Sequence, residues 1–155
     1  MTEVVRTESE DETSHVAARF AATLEPGTVV LLTGDLGSGK TAFVRGMAAG
    51  LGIDPDEISS PTFTLIQEYR ASTTAGGPEL VEGRGRRVLS HVDLYRLEGA
   101  EIEDLGLEEL GNAGAVVAIE WAEKLRESPA DAIRVEILDR GGDSREIRIT
   151  SPGKT

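Results

Sequence analysis

The chain has 155 residues, of which 39% are hydrophobic and 28% charged, and this balance predicts one globular domain spanning residues 1–155. It contains no cysteine, which excludes disulfides, cysteine-based zinc sites and thiol nucleophiles. A net charge of −12 argues against a dominant nucleic-acid-binding face, and the lack of a long apolar run or a signal-peptide pattern predicts a cytosolic protein with no membrane partner.

The first predicted elements are a short edge strand at Val4-Val5 and a helix after the acidic residues 8–12. Thr13 or Ser14 could cap this helix, because their hydroxyls can accept a backbone N–H. The apolar face of the helix would consist of Val16, Phe20 and Leu24, with Ala17 and Ala21 beside it.

Residues 34–41, Gly-Asp-Leu-Gly-Ser-Gly-Lys-Thr, fit the pattern G-x-x-x-x-G-K-[ST] without a mismatch. The glycines let the backbone approach a phosphate closely, so that successive N–H groups form an anion nest. Lys40 can reach the β- and γ-phosphates, and the Thr41 hydroxyl can bind Mg²⁺. The flanks agree, since residues 28–33 form a continuous apolar run and residues 40–51 place apolar residues on one helix face. The segment predicts a nucleoside triphosphate site.

Ser60-Pro-Thr-Phe63 follows the P-loop helix and leads into a predicted strand at residues 64–69. Its hydroxyls could form a switch that senses a γ-phosphate, and an ordinary proline-containing turn is the alternative. Residues 71–87 are rich in Gly, Ser and Thr without periodicity, which predicts a flexible insertion in a hairpin connection.

Two further strand patterns each end in a carboxylate. Residues 88–93 end in Asp93, which is placed like a Walker-B carboxylate, and His91 shares its strand face. A lone histidine is more typical of a packed or hydrogen-bonded residue than of a catalyst. Residues 115–119 precede Glu120, which is placed to bind Mg²⁺ or orient a water, or alternatively to bond to backbone or an arginine. The next residue, Trp121, is a nucleotide-site or core residue.

The remaining patterns predict helices and a hairpin. Residues 98–110 are acidic and helical, with Gly106 dividing them into two short helices. Residues 132–138 and 145–150 alternate around Gly141-Gly142, which predicts an antiparallel hairpin with one solvated face.

Four motifs in this order resemble the TsaE (YjeE) family of P-loop ATPases of bacterial tRNA threonylcarbamoyladenosine synthesis. They are residues 34–41, Ser60-Pro-Thr-Phe-Thr-Leu65, His91-Val-Asp-Leu-Tyr-Arg-Leu97 and Glu120-Trp121. The first is generic to P-loop proteins, whereas the second and third together are close to diagnostic. The resemblance implies an α/β, P-loop NTPase-like three-layer domain, with a mixed sheet of parallel core and antiparallel flanking strands.

The resemblance also implies ATP or ADP and Mg²⁺ as cofactors, and TsaB- and TsaD-type proteins as partners. In the family, the TsaD partner transfers threonylcarbamoyl to adenosine 37 of tRNA, and the TsaE subunit supplies an ATPase cycle for repeated turnover. The chain would meet tRNA only indirectly, through the complex, which agrees with its acidic charge.

Mapped by this resemblance, the catalytic residues would be Lys40, Asp93 and Glu120. Mg²⁺ would be held by Thr41, Asp93 and Glu120, directly or through water, and the sequence leaves open which carboxylate orients the attacking water. The nucleotide would contact Glu10, Thr13, Asp35, Leu36, Gly37, Ser38, Gly39, Lys40, Thr41, Ala42, Ser60, Thr62, Trp121 and Arg145. Glu12 is an alternative to Glu10.

An ATPase that drives a partner's modification cycle is the favoured function. One alternative is a nucleotide-dependent scaffold or switch with negligible hydrolysis, which a missing carboxylate would favour, but Asp93 and Glu120 are both present. A small-molecule kinase would need an acceptor pocket and an arginine-bearing lid, and residues 71–87 show no lid helix pattern. Because no arginine finger is evident in the chain, we expect weak turnover alone and activation by partners.

Overall fold

The computed structural model describes residues 2–34, 39–58, 66–71, 87–95, 97–107, 109, 114–125, 129 and 131–152. The strands are β1 (Thr2–Thr7), β2 (Val29–Thr33), β3 (Ile66–Arg70), β4 (Val88–Asp93), β5 (Val116–Glu120), β6 (Ile133–Asp139) and β7 (Arg145–Thr150). The α-helices whose bounds the structure describes are α1 (Glu10–Ala22), α2 (Lys40–Gly50) and α3 (Gly99–Glu103), and short 3-10 turns lie at Pro55–Glu57 and Ala122–Lys124.

The strands form one seven-stranded sheet in the order β1-β7-β6-β2-β5-β4-β3. Strands β6, β2, β5 and β4 run parallel to one another. Strand β3 is antiparallel to β4 at one edge, and β7 and β1 follow β6 in antiparallel order at the other. The predicted mixed sheet with a parallel core and antiparallel flanks is therefore confirmed. The predicted β6–β7 hairpin is also confirmed, and β6 has a second, parallel pairing with β2.

Both faces of the parallel core are covered, which explains why its strands are continuously apolar. On one face, Val30 and Leu32 of β2 pack in a cluster with residues of α1 and α2. On the other face, Leu31 packs with Ile119 of β5 and with Ile102 of α3. The alternation along each strand thus determines which side chains face the P-loop helix and which face away from it.

Helices α1 and α2 approach each other closely because α2 carries glycine at two contact points. A Cβ atom on Gly46 would lie 2.4 Å from the Ser14 carbonyl oxygen, and one on Gly50 would lie 2.2 Å from that of Ala18. Distances this short exclude a side chain without movement of the backbone. Glycine at these positions therefore fixes how α1 sits over the P-loop helix.

The predicted cap of α1 is wrong. The cap is Ser9, whose hydroxyl accepts the Glu12 N–H at 3.1 Å, while the Glu12 carboxylate accepts the Glu8 N–H at 3.1 Å. The acidic stretch forms the first turn of the helix, where negative charge interacts favourably with the helix dipole. The buried face is shifted by one position from the prediction. Ala17 and Ala21 are buried with Thr13, and Leu24 just beyond the helix is buried as predicted, while Val16 and Phe20 are only partly buried.

The remaining connections agree with the sequence where the structure describes them. Helix α3 ends before Gly106, whose φ of +67° suits glycine, as predicted for the division of this acidic segment. The Ala71 N–H donates to the Arg87 carbonyl at 2.8 Å, extending the β3–β4 pair to the ends of the predicted insertion. Residues 72–86 lie outside the described residues, so the flexibility of the insertion stays a prediction. Among the described helices, none has the length and apolar character needed to span a membrane.

Candidate functional site

The sequence-predicted carboxylates meet at the carboxyl edge of the parallel core. Asp93 at the end of β4 pairs in register with Glu120 at the end of β5. Glu120 pairs in turn with Leu32 of β2, the strand that leads into the P-loop. Because ligands of parallel sheets bind beyond the carboxyl ends of the strands, this edge is the place where a site is expected.

Lys40 begins α2 directly behind Gly39, whose φ of +108° is accessible to glycine at little energetic cost. The lysine side chain is buried, with Nζ donating to the Gly34 carbonyl at 2.6 Å. The same Nζ lies 3.9 Å from the centroid of a Trp121 ring, a distance typical of a cation–π contact. The ammonium group therefore joins the two ends of the P-loop and contacts the residue that follows β5.

Trp121 is the only non-glycine residue with positive φ in the part of the chain that the structure describes, at φ 61° and ψ 38°. This backbone conformation is strained for a bulky residue, and such strain concentrates at functional sites. Its ring also packs against Tyr95, with centroids 4.9 Å apart. Lys124 donates to the carbonyls of Tyr95 at 2.7 Å and Leu97 at 3.0 Å, which ties the segment after β5 to the segment after β4. The Trp121 ring is thus held between Lys40 and Tyr95.

The two carboxylates occupy different environments. Asp93 is half-buried, and its Oδ1 accepts the Tyr95 N–H at 2.9 Å. Glu120 is buried, and its Oε2 lies 2.5 Å from Nε2 of His91, which is fully buried. His91 shares a strand face with Asp93 as predicted, and it is a hydrogen-bonded residue, as the pattern favoured.

Three oxygen-bearing side chains of this region are of the chemical kind that binds a magnesium ion. Thr41 lies in the first turn of α2, and Mg²⁺ prefers a hydroxyl and carboxylates of this kind together with water and phosphate oxygens. Among the described residues, the second oxygen of Asp93 and that of Glu120 each have no hydrogen-bond partner. No cluster of three or more His, Cys, Asp or Glu side chains suited to a metal occurs among the described residues. A metal here would therefore also need water or phosphate ligands.

A second group of predicted residues lies on the β1–β7 side of the P-loop. Arg145 begins β7, with Nε 3.8 Å from the position a Cβ on Gly39 would take, and its Nη1 donates to the Gly142 carbonyl at 2.8 Å. Arg145 pairs in register with Thr7, whose hydroxyl lies 2.7 Å from that of the buried Thr13.

Glu10, near this group on α1, is exposed, whereas the Glu12 carboxylate accepts the Glu8 N–H. In the described residues, no hydrogen bond or ion pair links Glu10 or Thr13 to Lys40. Arg145 on β7 lies on the β6 side of the P-loop strand β2, whereas Asp93 and Glu120 lie on its β5 side.

Several predicted nucleotide contacts lie outside the described residues, and their roles stay predictions: Asp35, Leu36, Gly37, Ser38, Ser60 and Thr62. Ala42 is described, and its carbonyl accepts the Ser14 hydroxyl at 3.3 Å within the α1–α2 contact.

A sequence model of the family described as threonylcarbamoyl adenosine biosynthesis protein TsaE matches residues 7–147. The chain belongs to the TsaE family. A TsaE protein from Bacillus subtilis is 41% identical over 149 residues, covering 96% of this chain and 85% of the relative. One from Nostoc sp. is 39% identical over 144 residues, covering 90% and 80%. The crystal structure of Bacillus subtilis YdiB superposes with a TM-score of 0.74 at 35% identity, covering 99% of this chain and 87% of that one.

The family assignment confirms the resemblance read from the four motifs. Sequence reasoning missed two contacts of the TsaE site, Tyr95 on Trp121 and His91 on Glu120. The first has no clear signal in the sequence. The second could have been suspected from the spacing of His91 and Asp93, because residues i and i+2 of a strand share one face and adjacent strands bring such residues together.

Proposed function

We propose that this TsaE protein binds ATP with Mg²⁺ and hydrolyses it, as a subunit required for threonylcarbamoyladenosine modification of adenosine 37 in tRNA. The observation that carries the proposal is the meeting of three groups at one sheet edge. Lys40 begins the P-loop helix, Glu120 ends β5, which is next to the P-loop strand β2, and Asp93 ends β4, which is next to β5. The names of the family and its relatives support the pathway.

Each residue of the site would have a separate role in ATP hydrolysis, set by its charge and position. The Lys40 ammonium is already desolvated and held at the P-loop, so it can stabilise negative charge on the β- and γ-phosphates. Thr41, Asp93 and Glu120 would hold Mg²⁺, which would supply charge neutralisation at the phosphates. Asp93 is more exposed than Glu120, and its Oδ1 is held by the Tyr95 N–H, which makes it the better candidate to orient an attacking water. Trp121 would keep the Lys40 side chain in place through its ring.

The partners in this proposal are TsaB- and TsaD-type proteins in the cytosol. A chain with net charge −12 is poorly suited to grip tRNA by itself, so the complex would provide the tRNA-binding surface. We further propose that turnover by the chain alone is weak and that the partners complete or reset the site.

The test is phosphate release from Mg-ATP by the chain alone, with a TsaB–TsaD-type pair added, and with the pair alone. Strong stimulation that Lys40→Ala abolishes would support an ATPase cycle driven within the complex. Tight Mg-ATP binding without phosphate release in either mixture would contradict hydrolysis and leave a nucleotide-dependent scaffold. Failure to bind Mg-ATP would contradict both.

A further inference from the structure

The buried pair formed by His91 and Glu120 is not used in the proposed chemistry beyond the role of Glu120. His91 lies on β4 opposite Ala118 of β5, and Glu120 is the next residue of β5 on that same sheet face. The histidine is fully buried, and 5% of Glu120 is exposed. A buried carboxylate requires hydrogen-bond partners, and in the described part of the chain His91 is the side chain that provides one to Glu120.

The surroundings of the two ring nitrogens of His91 indicate the same tautomer. The contact of 2.5 Å between Nε2 of His91 and Oε2 of Glu120 is a hydrogen bond, and a carboxylate that binds a metal ion can only accept it, which would place the hydrogen on Nε2. Nδ1 is buried and has no hydrogen-bond partner in the described structure. A buried N–H without an acceptor is rare, whereas a lone pair there is tolerated more easily. A ring with its hydrogen on Nε2 therefore donates to Oε2 of Glu120 and leaves only a lone pair unpartnered at Nδ1.

We propose that His91 is a positioning residue for Glu120, holding Oε2 so that the second oxygen, Oε1, stays available to Mg²⁺ or its water. This role depends on the function proposed above for Glu120. Hydrogen bonds to a ligating carboxylate fix its orientation, and loss of such a partner typically weakens metal binding about 10–100-fold. A histidine that only fills space on this face would need no particular tautomer.

The hydrogen bond is tested in the wild-type chain by NMR of ring-¹⁵N-labelled histidine. The chain has two histidines, and the other, His15, is exposed on α1. His15→Gln serves as the assignment control, because it removes one set of signals and leaves that of His91. We expect a single fixed tautomer for His91, with a pyrrole-like Nε2 and a pyridine-like Nδ1. A hydrogen on Nδ1, or averaging between tautomers, would overturn the proposal.

The positioning role is tested by the Mg²⁺ concentration that half-saturates the thermal stabilisation of the protein by ATP. His91→Leu keeps an apolar group of related size and removes the donor, whereas the amide of His91→Gln can still donate to Glu120. We expect His91→Leu to raise the half-saturating Mg²⁺ about tenfold or more, and His91→Gln to recover most of that loss. Stabilisation by ATP in the presence of EDTA should be the same in all three proteins.

Each outcome separates this role from the function on which it depends. If both variants keep the wild-type half-saturating Mg²⁺ concentration, the positioning role alone is overturned. The same holds if both variants raise this concentration equally. A wild-type protein whose ATP binding ignores Mg²⁺ would overturn both the proposed function and the positioning role, even where NMR finds the hydrogen bond. If neither variant folds, the His91 tautomer that NMR finds in the wild-type chain decides whether the proposal stands.

Discussion

Charged side chains differ in burial between the parallel half of the sheet, strands β6, β2, β5 and β4, and the antiparallel half formed by β7 and β1. In the parallel half, the charged groups Lys40 and Glu120 are buried, and each bonds to one neighbour at the carboxyl edge. In the antiparallel half, Glu146 of β7 lies between Arg140 and Arg148 at the surface, in an arrangement of ion pairs. The side chains of Lys40 and Glu120 are thus withdrawn from water, whereas the arginines that pair with Glu146 are exposed.

This difference in burial indicates which charged groups belong to a reactive site and which only form ion pairs at the surface. Burying a charge is unfavourable unless something compensates for it, and a site that must stabilise phosphate charge benefits from having its groups desolvated in advance. An exposed ion pair between strands contributes little to stability and is screened by salt. We therefore expect substitutions in the parallel half to change activity strongly and those in the antiparallel half to change stability weakly.

The largest expected effect is that of Lys40→Ala. The substitution removes the charge held at Gly34 and Trp121, and phosphate release should fall at least tenfold because the β- and γ-phosphates lose their cation. Arg148→Ala, in the antiparallel half, is the control and should leave turnover near wild type. Near-wild-type turnover in the Lys40 variant would contradict the assignment of the site.

Gly46→Ala tests the packing that supports the P-loop helix. A methyl group there would lie 2.4 Å from the Ser14 carbonyl, so we expect a loss of about 1–3 kcal/mol in the free energy of unfolding, measured by urea denaturation. Ala49→Ser, at an exposed position of the same helix, should change it by roughly 0.5 kcal/mol. Equal free energies of unfolding for wild type and Gly46→Ala would show that helices α1 and α2 can move apart without loss of stability.

Trp121→Leu should have an intermediate effect. The ring that lies over the Lys40 ammonium is lost, and a desolvated cation–π contact of about 0.5–2 kcal/mol corresponds to roughly a twofold to thirtyfold loss in Mg-ATP affinity by titration calorimetry. Trp121→Phe retains an aromatic face and should keep most of the affinity. If both variants lose affinity equally, ring size and not the cation–π contact matters.

The smallest effect is expected for Glu146→Gln. The hydrogen bond from Arg140 holds the pKa of the Glu146 carboxyl below its ordinary value of 4.5, and Arg148 acts in the same direction. Because the pKa is lowered on folding, the carboxylate stabilises the protein above pH 4.5, and this contribution is lost as the pH falls through the folded-state value. The variant should have a midpoint of thermal unfolding lower by a few degrees at most at neutral pH, and the difference should vanish in acid. A difference in unfolding midpoint between wild type and variant that grows as the pH falls would contradict this direction of the pKa shift.

The elements with simple periodicity were predicted well from the sequence. Residues 88–93 and 145–150 are strands as predicted, because a doubly buried strand and a half-solvated one each leave a clear pattern of apolar residues. The start of α1 was predicted incorrectly although its signal was present. Ser9 and Glu12 match the capping-box spacing, and the acidic residues between them suit the first turn of a helix.

The contacts between separate segments could not be predicted in this way. An alternating pattern predicts that β6 has an antiparallel partner, but it contains no information on the parallel pairing with β2. The contact between His91 and Glu120 depends on the register of two strands that are 29 positions apart in the chain at these residues. The left-handed conformation of Trp121 has no sequence signal, since a bulky residue is disfavoured there.

The most direct test of the account is the affinity for ATP, with Mg²⁺ and with EDTA, in wild type, Glu120→Gln and Glu146→Gln. Both substitutions replace a carboxylate by an amide of the same shape, one in each half of the sheet. The account predicts that Mg²⁺ strengthens ATP binding to wild type and to Glu146→Gln alike, and that Glu120→Gln loses about tenfold or more of this gain while binding ATP normally in EDTA. An unchanged Mg²⁺ response in Glu120→Gln, or its loss in Glu146→Gln, would contradict the placement of the site at the carboxyl edge of the parallel strands.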